Sequence, residues 1–389
     1  MENKKSVLFV CYGLGIGGIE RALVNLLNEM PETEFDVDLL VMNPEYALRD
    51  QIRRKVTYLD PFLYTLNTRF TMAEIRRRGG LLRHKKRFLA YFDHRVRIKL
   101  GLPLWTTFSA IPKHYDIAVA YSQNGLAPYY VADKVTAGRK VLWYHNGAYE
   151  KTGRDYARDQ VYYGKFDRIV AVSPSCAEVL REKFPALTER ILVLRNLCDR
   201  ERILQGAEAP TPESFRRDAV HIVTVARLAP EKGPDLALEA CRILCRAGRN
   251  ICWHWVGGGH PMKRMRQEIS RLGLSDSFLL EGDRPNPYPY IRNAAIYVQP
   301  SHYEAYSMTV MEAKVLAKPM VITRVGGMQY LLRDGETGKI TVPTAEALAE
   351  AVGELIDHPD IAASFSENLQ KESAGGTGEL DAYRETVFA

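Results

Sequence analysis

The chain has 389 residues, 46% of them hydrophobic, and a formal net charge of +6. That length suits two domains of ordinary size, each with its own core. No apolar run approaches the roughly 20 residues of a membrane-spanning helix, Cys11, Cys176, Cys198, Cys241, Cys245 and Cys252 lack paired zinc-type spacing, and no nucleic-acid recognition module is visible.

Lys4-Lys5 leads straight into the apolar Ser6-Val-Leu-Phe-Val, so no signal peptide is expected. A cytoplasmic protein with reduced thiols and no structural metal follows as the expectation. In chain order, the first half predicts strands over 7–11, 37–41, 117–120, 141–144 and 169–172. Helices are predicted over 19–29, 126–132 and 177–184. Behind the first strand, Gly13-Leu-Gly-Ile-Gly-Gly18 fits the G-x-G-x-x-G dinucleotide fingerprint. An oxidoreductase of that kind needs an acid at the end of the second strand. The chain has Val41-Met-Asn43-Pro there, with Asp36 and Asp38 before or inside the strand. Gly17 and Gly18 are better read as letting backbone approach a phosphate and a second substrate.

Between 76 and 99 lie Arg76, Arg77, Arg78, Arg83, Lys85, Lys86, Arg87, Arg95, Arg97 and Lys99, against Asp93 alone. This stretch carries more positive charge than the chain's net total, so the excess is local. Leu81, Leu82, Phe88, Leu89 and Phe92 interleave with it. A basic amphipathic segment within 71–105 suggests an anionic membrane surface or a polyanionic acceptor. The plain alternative is a helix docked on the core with a solvated basic face.

The second half predicts strands over 222–225, 251–256, 278–281, 296–299 and 320–323, and helices over 235–246, 262–272, 309–316 and 345–356. Such alternation argues for parallel sheets with helices on both faces. The boundary between the halves falls near 196–207, beside a polar loop over 207–213.

Two strand ends in the second half carry the chemistry. Val223-Thr-Val-Ala-Arg227 runs through Leu-Ala-Pro-Glu-Lys232 into a helix that Pro230 and Glu231 are suited to start. Arg227 and Lys232 flank this turn and can neutralise a diphosphate. Ala295-Ile-Tyr-Val-Gln runs through Pro300-Ser to Glu304-Ala-Tyr-Ser-Met-Thr-Val-Met-Glu312. A strand-to-helix junction presents free N–H groups and a positive dipole end, a ready phosphate site. Tyr306, Ser307, Met308 and Thr309 supply those donors. The two acids cannot bind phosphate and should bind flanking hydroxyls, one from a transferred sugar and the other from a ribose. A ligand with hydroxyls at both ends and phosphate between is a nucleotide sugar. Gly257-Gly-Gly259 reads as a tight turn near the nucleotide, and the loop with Asp283 and Arg284 as lying beside the base. For both, ordinary turn chemistry is an equal alternative.

In order along the chain, these residues resemble the retaining GT-B glycosyltransferases of family 4. Gly17-Gly18 matches the family's Gly-Gly loop, and Val141-Leu-Trp-Tyr-His145 its Trp-x-His segment. Arg227 with Lys232 matches its Arg/Lys pair, and Glu304 with Glu312 its E-x7-E motif. The resemblance implies an α/β fold of two Rossmann-like doubly wound domains facing a central cleft. It implies an acceptor-binding domain over 1–200, a nucleotide-sugar domain over 201–375, and a segment 376–389 that packs back on the first domain. Glu312 would hold the ribose, Glu304 the sugar hydroxyls, Arg227 and Lys232 the leaving diphosphate, and His145 would face the donor sugar or β-phosphate.

The implied activity is metal-independent hexosyl transfer with retention. The donor is open between UDP and GDP sugars, with UDP the choice here, and the acceptor is a saccharide or lipid-linked saccharide of surface polysaccharide or glycolipid assembly. A non-catalytic nucleotide-sugar binder and a nucleotide-sugar epimerase are the alternatives. One departure stands out. Ala305 replaces the family's glycine after the first acid, which would make a left-handed backbone there costlier.

Overall fold

A computed structural model describes residues 4–388 apart from 44, 62–95, 98, 101, 217 and 375–378. Most of the basic stretch 76–99 thus lies outside the described residues. The first domain runs β1 (Lys5–Cys11), α1 (Gly18–Glu29), β2 (Phe35–Val41), β3 (Thr57–Leu59), β4 (His114–Ala120), α2 (Ala127–Lys134), β5 (Thr136–Tyr144), α3 (Gly153–Tyr163), β6 (Arg168–Ala171), α4 (Pro174–Lys183) and β7 (Ile191–Val193). The helix α5 (Arg200–Ala207) leads into the second domain. That domain runs β8 (Val220–Val225), α6 (Pro234–Arg246), β9 (Ile251–Val256), α7 (Met262–Arg271), β10 (Phe278–Gly282), α8 (Tyr288–Asn293), β11 (Ile296–Gln299), α9 (Met308–Val315), β12 (Met320–Thr323), β13 (Lys339–Thr341) and α10 (Ala345–Asp357). Two helices follow, α11 (Pro359–Ala374) and α12 (Glu379–Thr386).

The strands form two parallel sheets, ordered β3-β2-β1-β4-β5-β6-β7 and β10-β9-β8-β11-β12-β13. Continuous apolar runs dictate this: Val7, Leu8, Phe9 and Val10 are all fully buried, as strands covered on both faces must be. Helix α1 turns Leu23, Leu26 and Leu27 onto the first sheet. Ser173 caps α4 by accepting from the Cys176 N–H, with Pro174 opening the helix. The two-domain doubly wound architecture implied by the resemblance is therefore present.

In each sheet the strand order reverses at one place, between β1 and β4 and between β8 and β11. Crevices at the carboxyl ends of such strands are where open α/β sheets bind ligands. Helix α12 returns to the first sheet: the Tyr383 hydroxyl donates to the Arg195 carbonyl at 2.6 Å and Phe388 packs on Phe35. Strands β3, β7 and β13 were not predicted, because three residues are too few to show a period of two.

Candidate functional site

The site grows from a backbone contact between two loops of the second domain. The predicted helix start at Pro230 is not what forms. Pro230–Lys232 makes one 3-10 turn, Gly233 takes a left-handed conformation (φ 69°), and α6 begins only at Pro234. A Cβ on Gly233 would lie 1.8 Å from the Pro300 carbonyl oxygen. Only glycine lets the turn after β8 rest on the loop after β11. This contact sets the Lys232 Nζ 2.5 Å from Glu304 Oε2, with the two side chains 20% and 11% exposed. Burial pushes the Glu304 carboxyl up, Lys232 pulls it down, Glu231 pushes it up again and Arg227 pulls it down. The Arg227 guanidinium itself pairs with Glu231 at 3.0 Å and stays largely exposed. It does not share the Glu304 carboxylate with Lys232, though it acts on both Glu304 and Glu20 of α1 through space.

The loop bearing Glu304 is pinned from behind by residues that the sequence reading did not single out. Gly326 is left-handed (φ 44°), and a Cβ there would lie 2.0 Å from the Glu304 carbonyl oxygen. The Gly327 N–H donates to that carbonyl at 3.2 Å. Ala305 is not in the left-handed region, so the expected cost of lacking glycine at 305 does not arise. The glycine requirement has moved to the facing turn. Ser307 caps α9, its hydroxyl accepting from Val310 N–H. Met308 and Thr309 lead the helix, so their N–H groups have no intrahelical acceptor. Tyr306 and Met308 are buried.

Glu312, one turn into α9, is 1% exposed. Its Oε1 accepts from the Arg21 guanidinium at 3.2 Å and the Tyr288 hydroxyl at 3.3 Å. The sequence alone pairs neither Arg21 nor Tyr288 with Glu312, because neither proximity is local in the chain. Gly257 (φ 141°) packs on the Ala226 carbonyl, where a Cβ would sit 2.0 Å away. Asp283 accepts from the Gly258 N–H at 2.7 Å. These two residues strap together the ends of β8, β9 and β10.

The first domain faces this assembly. Gly17 caps α1 in an extended conformation, and a Cβ on Gly18 would touch Met308 at 4.0 Å, so the N-termini of α1 and α9 oppose each other. A Cβ on Gly147 would lie 3.2 Å from the Tyr303 hydroxyl and 3.4 Å from Ala305 Cα, which brings the turn after β5 onto the Glu304 loop. His145, just after β5, is buried beside Tyr121, and its backbone N–H donates to Gln123 Oε1 at 2.9 Å. Burial drives its imidazole down to about 3, so the ring is neutral at pH 7. Its Nε2 has no hydrogen-bond partner among the described residues.

A separate cluster of potential metal-ligand side chains, His221, Cys252 and His254, lies buried on the adjacent strands β8 and β9 of the second sheet. His221 Nε2 donates to the Arg216 carbonyl at 2.7 Å and His254 Nδ1 lies 2.9 Å from Glu281 Oε1. Burial alone would push Glu281 up, but hydrogen bonds from His254 and Ser214 hold it down to about 2. The facing nitrogens, His221 Nδ1 and His254 Nε2, are 2.8 Å apart. Two nitrogens on a tetrahedral metal, each about 2.0–2.1 Å from it, stand about 3.3 Å apart. The spacing is that of a shared proton, and Phe215 stacks over both rings.

With this geometry in view, comparisons with known proteins converge. Residues 208–372 match the family described as Glycosyl transferases group 1, and 16–202 match Glycosyltransferase Family 4. The chain is 27% identical over 207 residues to an alpha-D-kanosaminyltransferase of Streptomyces kanamyceticus, covering 51% of this chain and 54% of that protein. It is 30% identical over 204 residues to a D-inositol 3-phosphate glycosyltransferase of Thermomonospora curvata, covering 48% and 47%. The chain thus spans about half the length of the curated relatives it matches. The crystal structure of HepE from Anabaena in complex with UDP superposes with a TM-score of 0.69 at 16% identity, covering 98% of both chains. The chain belongs to the GT-B glycosyltransferases of the family 4 type.

His145 generates a pH test. Its folded value of about 3 lies below the ordinary 6.5 of the unfolded chain, so the unfolded state binds more protons as pH falls. Stability contributed by the neutral ring is complete above 6.5 and falls between 6.5 and about 3. By pH 5 the native protein should lose about 2 kcal/mol on this account. His145→Gln should abolish that component, narrowing the urea-midpoint difference between pH 7 and pH 5; an unchanged difference would refute the buried neutral assignment.

Proposed function

We propose that this chain is a retaining, metal-independent glycosyltransferase that moves a hexose from a nucleoside diphosphate sugar, with UDP favoured, to a saccharide or lipid-linked saccharide acceptor. The observation that carries the reading is the Lys232–Glu304 pair, set at the carboxyl ends of the two central strands of the second sheet and faced by the N-terminus of α1. HepE, with 98% coverage, was crystallised with UDP, which favours that base here.

In this reading the diphosphate lies between Lys232, Arg227 and the leading N–H groups of α9. Glu304 accepts from hydroxyls of the transferred sugar, and its pair with Lys232 keeps the carboxylate beside the phosphate without net repulsion. Glu312 accepts from the ribose. Gly257 and Asp283 shape the turn that supports the base. As the bond from the sugar's C1 to the phosphate oxygen breaks, negative charge grows on the diphosphate where the cations and amides already point. The acceptor hydroxyl, presented from the cleft side of the first domain, bonds to C1 on the same face, and its proton passes to the departing phosphate oxygen. His145 is neutral, so it serves as a hydrogen-bonding group near the donor and adds no charge.

The basic stretch 76–99 would carry the protein to an anionic cytoplasmic leaflet, each cation there contributing on the order of 1 kcal/mol. No helix among the described residues is long and apolar enough to cross a membrane. Neutralising Arg83, Lys85, Lys86 and Arg87 together should reduce co-sedimentation with phosphatidylserine vesicles, and equal co-sedimentation would defeat the membrane role.

Arg227 offers the cleaner catalytic test, because its exposed side chain contributes little to stability. Arg227→Ala should lower turnover of a UDP-sugar by about 10²-fold while the melting temperature stays within a degree or two. Loss of turnover only in proportion to lost folded protein would make it structural. UDP released only when acceptor is present distinguishes transfer from epimerisation and from passive binding.

A further inference from the structure

The two oxygens of Glu312 are treated differently. Oε1 accepts from both Arg21 and Tyr288. Oε2 is equally buried and has no hydrogen-bond partner among the described residues. A buried carboxylate oxygen without a donor costs free energy unless something else completes it. The oxygen is thus a vacant acceptor inside the site, aimed by two groups that hold its twin.

Those groups come from different halves of the molecule. Tyr288 opens α8 of the second domain, and Arg21 lies in the first turn of α1 in the first. One turn further along α1, Asn25 Nδ2 donates to the Leu197 carbonyl at 2.9 Å, which fastens the helix to the connecting segment. From α5, Arg202 lies over the Tyr288 ring at 5.7 Å and donates to Gln51 at 2.7 Å in the first domain. Arg21, 15% exposed, is the only cation paired with Glu312 among the described residues. It supplies the charge against which that carboxylate can be buried.

We propose that Arg21 is a positioning residue for nucleotide recognition: reaching across the domain boundary, it holds Glu312 turned so that Oε2 is offered to a hydroxyl of the donor's ribose. The ribose site is complete only while α1 abuts α9. Donor recognition in the second domain then depends on the placement of the first, with no direct contact between Arg21 and the nucleotide required. This inference rests on the reading of Glu312 as the ribose carboxylate, and the experiment separates the two.

Calorimetric dissociation constants are measured for UDP and for its 2′,3′-dideoxy analogue with the native protein, Glu312→Gln, Arg21→Met and Arg21→Lys. The native protein should favour UDP by about 10-fold or more, as hydrogen bonds to a charged group do. Glu312→Gln and Arg21→Met should both bring the ratio close to one, and Arg21→Lys should restore part of it. Inorganic pyrophosphate binding, which does not involve the ribose, should be unchanged in all three variants and reports that the site is folded. If Glu312→Gln removes the preference while Arg21→Met keeps it, the positioning role is overturned. If Glu312→Gln itself keeps the preference, the ribose assignment fails and the inference falls with it.

Discussion

The backbone of Gly233 resting on the Pro300 carbonyl is the constraint from which the site follows. It brings the ends of β8 and β11 into contact and leaves Lys232 and Glu304 no separation but that of an ion pair. An ion pair so poorly hydrated is an expensive way to hold a fold together, because desolvation cancels much of its attraction. Its chemistry makes sense where a phosphate and a hydroxylated ring must lie side by side. In the proposed reading the cation would meet the first and the carboxylate the second, while each keeps the other's charge in check. Gly326 and Gly327 perform the same service on the opposite side, clasping the Glu304 and Ala305 carbonyls.

The second domain does not close the site alone. Gly18 approaches Met308, Gly147 approaches Tyr303, and Arg21 reaches Glu312. Each contact joins the carboxyl end of one sheet to that of the other, so the two switch points form one crevice. A residue's role is therefore set by its place relative to the boundary. Arg227 pairs with Glu231 and stays exposed, whereas Lys232 is committed to Glu304.

The fold was legible because long parallel strands carry uninterrupted apolar runs, as in Val7–Val10, and because glycines and prolines punctuate the turns. Elements of three residues were not, since no period fits in them. At 227, 232, 304 and 312 charged residue types near strand ends were legible, and the fold pairs 232 with 304. What the sequence could not show was partnership. Arg21 is 291 positions from Glu312, and only the folded chain joins them. Nor could the sequence show where a glycine was indispensable. It pointed to position 305, while the left-handed turn formed at 326. That turn was visible as Val325-Gly-Gly327 after a strand, but its target, a carbonyl more than twenty residues earlier, was not.

The central claim is that Lys232 is held beside Glu304 to receive a diphosphate and is not merely a structural counter-ion. Calorimetric titration of native protein and Lys232→Met with UDP and with uridine tests it most directly. A phosphate-binding lysine predicts that UDP affinity drops by about 10-fold or more while uridine affinity stays the same. Equal weakening of both ligands, or of neither, would contradict it.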